Sequence, residues 1–222
     1  MKRQQSGFTL VEIAIVLVII GLLLGGILKG QEMIVQAKIK NAIADFSGIS
    51  AAYHGYNDRY RAIPGDDPNA LTRWGAPAVA GDGNGTILGA YNSATVTDES
   101  RTWWDHLRRS GFVAGSGTSQ PFNAVTGMIG VQTGDAVAAG IGPTLLDGAG
   151  GAGFTGLVVC SANLNDKIAI AVDTQMDDGL SGKGTVRALL QTSPNPNIGV
   201  GQVATATYSE TGTNVYTICR SL

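Results

Sequence analysis

Residues 8–28 read FTLVEIAIVLVIIGLLLGGIL. As a helix rising ~1.5 Å per residue, this run reaches roughly 31 Å, enough to cross the hydrocarbon core of a bilayer. The rest of the chain must therefore be compatible with a membrane span at its start. The block holds one charge, Glu12, and follows a short polar leader, residues 1–7, that carries Lys2 and Arg3. Positive charge on the short side keeps that end in the cytoplasm, so everything beyond Leu28 is expected on the exported side. A secretory signal would end in a small-residue cleavage site. Instead the chain continues LKGQEMIVQAK.

The helical pattern outlasts the apolar block. Val35, Ile39, Ala42, Phe46, Ile49, Tyr53, Tyr56 and Tyr60 recur at steps of three and four, the spacing of one stripe on a helix. Pro64 and Gly65 end it. The spacing predicts one helix with a membrane half, residues 8–28, and an amphipathic half, residues 29–61. The stripe needs a cover, and the domain at 62–222 is the available one.

Glu12 is out of place in hydrocarbon. Insertion scales charge a central carboxylate on the order of 2.5–3.5 kcal/mol, so such a group is read as functional and paired. Gly7 and Phe8 stand just before it. The run SGFTLVEIAIVLVIIGLLLG resembles the cleavage and methylation signature of type IV prepilins and type II secretion pseudopilins. The resemblance implies that a prepilin peptidase cuts between Gly7 and Phe8 and methylates the freed Phe8 amine. It also implies that Glu12 docks the subunit by meeting the N-terminus of a neighbour. A cation and an anion that are each costly in lipid offset one another as a pair. Many pilins place a proline after this run. Here Lys29 occupies that region, and Gly21, Gly25, Gly26 and Gly30 are the candidates for flexibility.

By the same resemblance the chain is a filament subunit. It is a single-pass inner-membrane protein with a periplasmic head, later built into a filament at the cell surface or in the periplasm. Its partners are copies of itself, other pilins, and an inner-membrane assembly platform driven by a separate ATPase. A pilus subunit and a type II secretion pseudopilin share the signature. The head is larger than a minimal pseudopilin needs, which favours a pilus. A membrane-tethered binding module that does not polymerise is the reading from another class.

Beyond Ala62 the composition shifts: 25 of the 32 glycines lie there. Residues 63–95 read as loop, and a short helix is expected from Asp98 to Arg109, with Trp103 and Leu107 on one face and the adjacent Trp103 and Trp104 as one core anchor and one partly exposed ring. The last third reads as short strands, at 157–160, 167–172, 186–191, 203–208 and 215–219, with connectors short enough for antiparallel pairing. The predicted class is α+β: a long helical spine packed on a C-terminal antiparallel sheet, as in pilins. IPGDDPNALTRWG and DTQMDDGLSGKGTVRA further resemble a subgroup of proteobacterial prepilin-type proteins. Cys160 and Cys219 fall in two of the expected strands, in an exported compartment where disulfides persist. Many type IV pilins close a C-terminal segment this way, so the resemblance fits a bridge; two separate buried thiols are the other reading.

Catalysis and nucleotide binding find little support. Gly151-Ala-Gly153-Phe-Thr-Gly156 matches a dinucleotide fingerprint but lacks the strand before and the helix after. His54 and His106 have no metal-like spacing, and read as surface or packing residues. A net charge of -2 gives no electrostatic footprint for nucleic acid. No cofactor is expected except calcium, which stabilises some pseudopilin heads. Its weak candidates are Asp173, Asp177 and Asp178, and the incomplete loop Asp82-Gly-Asn84-Gly85. The ordinary reading of both groups is turn chemistry.

Overall fold

A computed structural model describes residues 9–137, 142–148 and 150–222. The first helix, α1, runs without a break over Leu10–Tyr60. The chain divides into two units, one up to Lys38 and one from Ile39 to Leu222. In the first unit every large apolar side chain from Leu10 to Leu28 is exposed. By length and composition this helix is able to cross a membrane.

The second unit starts with the end of α1, which buries Ile39, Ala42, Phe46, Ile49, Ala52 and Tyr56. These are members of the predicted stripe with Ala52 added; its other members, Val35, Tyr53 and Tyr60, are half-buried. Two short helices follow, α2 at Ala70–Trp74 and α3 at Glu99–Arg109. Then come strand β1 at Ile129–Thr133, β2 at Leu157–Asn165, helix α4 at Asp166–Met176, β3 at Val186–Leu190 and β4 at Val215–Ser221. The strands form one antiparallel sheet in the order β1-β2-β4-β3.

Both faces of this sheet are covered. Side chains alternate across a strand, so Val158, Cys160 and Ala162 face one way and Val159 and Ser161 the other, yet all five are buried. Tyr91, Leu145, Phe154, Ile198 and Ala204 fill the core on the first side. On the second, Ile129 borders a groove with Ile49 of α1 and Trp104 of α3. Helix α3 lies beside β1, and its Trp103 stacks on Tyr53 of α1 with ring centroids 5.5 Å apart. Two-sided burial accounts for near-continuous apolar runs such as LVVC.

Several expectations are corrected. Residues 167–172 lie in α4, not in a strand. Asn165 caps that helix by accepting from the Ile168 amide at 3.0 Å, and Ile168, Ala169 and Val172 fall on its buried side. Residues 203–208 form no strand. Val203 makes a single bridge to Leu146, and the Thr205 amide donates to Ala188 of β3 at 2.8 Å. That bond, with the Ala188 amide donating to Ser181 at 2.8 Å, covers the outer edge of β3, which would otherwise be open to pairing. The stretch 63–95 contains α2. Both Trp103 and Trp104 are buried, so the second ring is core as well.

Cys160 and Cys219 are bonded. They are directly opposed residues of the two central strands, and they belong to the core beneath Tyr91. Their separation is 59 residues, which in the chain-entropy model is worth about 4 kcal/mol. Cys160→Ser and Cys219→Ser should therefore each lower stability by up to about 4 kcal/mol. The double variant should lose little more than either alone, because one bond is removed in all three. Denaturant unfolding of the full chain in detergent checks this; additive losses would show two thiols acting separately.

Candidate functional site

The N-terminus of α1 carries the residues marked by sequence for assembly. Gly7 and Phe8, the expected cleavage and methylation positions, lie outside the described residues. Glu12 is described, and it is engaged within its own chain. Its Oε2 accepts from the Thr9 amide at 2.8 Å and from the Thr9 hydroxyl at 2.7 Å, while the Glu12 amide donates back to Thr9 Oγ1 at 3.3 Å. This is a reciprocal capping box, in which an N-cap threonine and the glutamate three residues on satisfy each other's free amides. Sequence reasoning missed Thr9, although T-x-x-E ahead of an apolar run is the signature of such a box. The arrangement supplies hydrogen-bond partners to a carboxylate that hydrocarbon would leave bare. It also orients the carboxylate toward the helix start.

The C-terminal end of α1 meets a polar hub. Tyr56 donates to Asp67 Oδ2 at 2.6 Å, and Arg73 of α2 donates to the same oxygen at 2.5 Å; the Asn69 amide donates to Oδ1 at 2.9 Å. Burial raises the Asp67 carboxyl, but these donors outweigh it and hold the group below its ordinary range. Arg73 also lies over the Tyr60 ring at 4.2 Å. His106 of α3 stacks on Tyr56. Its Nδ1 accepts from the Gly65 amide and its Nε2 donates to the Val79 carbonyl, both at 2.8 Å. That assignment fixes a neutral imidazole, and burial pushes its pKa down. His106 is thus a packing residue, while His54 is exposed.

The acidic candidates do come together. Asp173, Asp177 and Asp178 place carboxylate oxygens within 4.8 Å of one another. Asp66, Asp82 and Glu99 do the same, a grouping drawn from three separate segments that no local pattern announces. Most of these oxygens have turn-forming duties. Asp177 accepts from the Val186 amide at 2.9 Å and Asp178 from Leu180 at 2.8 Å. Asp66 accepts from the amides of Gly83, Asn84 and Gly85. Glu99 accepts from those of Asp82 and Leu88.

Asp173 stands apart. It is fully buried, one oxygen accepts from Tyr208 at 2.7 Å, and the other has no protein partner. Burial pushes its pKa up to about 6, against ~3.9 for an unfolded chain. A group whose folded pKa is raised stabilises fully below its unfolded pKa, and that contribution is lost as pH rises through the folded value. Asp173→Asn should therefore stabilise the protein above pH ~6, with the gain vanishing below pH ~4. Thermal melts of both proteins across that window, with chelator present, check the sign.

The geometry offers a capped apolar helix long enough to cross a membrane, a head locked by a hub and a disulfide, and no assembled nucleophile–base pair among the described residues. No curated protein matches the chain. Residues 2–28 match the family model for the prokaryotic N-terminal methylation motif. The chain thus carries the signature of type IV prepilins and pseudopilins, which points to a structural protein.

Proposed function

We propose that the chain is a structural subunit of a type IV pilus or pilus-like filament, polymerised through α1 after cleavage between Gly7 and Phe8 and methylation of the Phe8 amine. The methylation motif over residues 2–28 carries this reading. The apolar surface of α1, exposed along its whole first half, supports it. Such a surface is stable in lipid before assembly and against other copies of the same helix afterwards. In the filament, Glu12 exchanges its Thr9 donors for the Phe8 ammonium of a neighbour. The same motif serves type II secretion pseudopilins; the extent of the head, residues 62–222, favours a pilus.

Processing is tested by the intact mass of subunit purified from its native membrane. The mature chain should begin at Phe8 with one added methyl group; a chain still starting at Met1 overturns the reading.

Docking is tested by Glu12→Ala. Alanine removes an insertion cost of roughly 2.5–3.5 kcal/mol, so membrane levels should hold or rise. It also removes the partner of the amine, and most of the filament recovered by shearing should disappear. Wild-type filament yield from this variant would overturn the pairing.

A further inference from the structure

Asn84-Gly85-Thr86 is the only Asn-x-Ser/Thr triplet in the chain, and an acidic residue, Asp82, stands two positions before it. The triplet is the acceptor pattern for N-linked sugar, which requires a surface loop on the exported side. Here it falls on a loop of the head in which Asp82, Gly83, Asn84 and Gly85 are all exposed.

The loop is built, not slack. Asp66 is nearly fully buried, and it clamps the backbone from beneath through the amides of Gly83, Asn84 and Gly85. Gly83 and Gly85 take left-handed φ of 73° and 86°, and the space where a Gly85 side chain would stand is open. The clamp turns Asn84 outward between bare neighbours. Its Oδ1 accepts from both the amide and the hydroxyl of Thr86, at 2.8 and 2.5 Å. Its Nδ2 donates to Asp82 Oδ2 at 2.8 Å. A carboxamide nitrogen is a poor nucleophile because its lone pair is shared with the carbonyl. The carboxylate at the N–H raises electron density on that nitrogen, and the Thr86 donors hold the carboxamide in a single orientation.

We propose that Asn84 is an N-glycosylation site, with Thr86 and Asp82 as the flanking groups a transferase reads. The co-reactant is a saccharide carried on a polyprenyl diphosphate, presented at the membrane by a separate transferase. Asn84 Nδ2 attacks the anomeric carbon and an N–C bond forms. The bond from that carbon to the diphosphate oxygen breaks, and its electron pair leaves with the polyprenyl diphosphate. The proton lost from Nδ2 passes to a carboxylate base of the transferase.

The inference rests on the proposed export of the head. The test is the mass of the Asn84-containing peptide from full-length protein purified from its native host, with the thiol state of Cys160 and Cys219 read in the same sample. A saccharide mass on that peptide is expected. It should be lost in Asn84→Gln and in Thr86→Val, retained in Thr86→Ser, and reduced in Asp82→Ala. An unmodified peptide in oxidised wild-type protein overturns the site while leaving export intact. An unmodified peptide with free thiols overturns both. Modification that persists in Thr86→Val would also overturn the assignment, since the hydroxyl would then be irrelevant.

Discussion

The head depends on one buried carboxylate. Asp67 has no exposed surface and gathers donors from α1, from its own loop and from α2. Leaving such a charge unpaired would cost on the order of 3–5 kcal/mol, so the three segments hold their relative places together or not at all. His106 extends the same constraint to α3 by stacking on Tyr56 and bonding both Gly65 and Val79. The glycine-rich connector therefore has a fixed course despite its composition. With α3 held there, Trp103 and Trp104 complete the cover over the end of α1.

Much of this was legible because it depends on local periodicity. The α1 stripe follows the 3.6-residue repeat and is found where expected. Strands β2, β3 and β4 announce themselves as apolar runs between turn residues. The misreadings came where a local pattern suits two structures. KIAIAV is rich in β-branched residues, yet the Asn165 cap and the spacing of Ile168 and Val172 make it helical. Both signals were present in the sequence. β1 was not legible: Gly130 interrupts its apolar run, and that glycine is needed because the Tyr91 carbonyl sits where a side chain would be. Gln132, which would argue against a buried strand, satisfies the carbonyls of Gly134 and Ile198 across the core. Contacts between distant segments carry no local signature, and the Asp67 hub and the Asp66–Asp82–Glu99 group belong to that class.

At the other end, Glu12 was legible as an anomaly but not as a cap. Sequence reasoning supplied a partner from outside the chain. The structure supplies one inside it, Thr9, three residues away. The proposed partner would use the same carboxylate, so the internal one satisfies this group in a lone subunit. In the proposed assembly this site exchanges two hydrogen bonds for an ion pair, which costs less than desolvating a free carboxylate.

The position of the disulfide also governs how the head responds to tension. In the proposed filament the subunit is pulled along its helix, and an unfolding domain lengthens by the contour of the chain it releases. The bond between Cys160 and Cys219 closes off a 59-residue stretch that includes α4, β3 and most of β4. At ~3.5 Å per extended residue this withholds roughly 200 Å of slack. A head torn open under load yields only the chain outside that loop, and the segment most of the sheet is made from stays tied at its base, ready to close when the load is released.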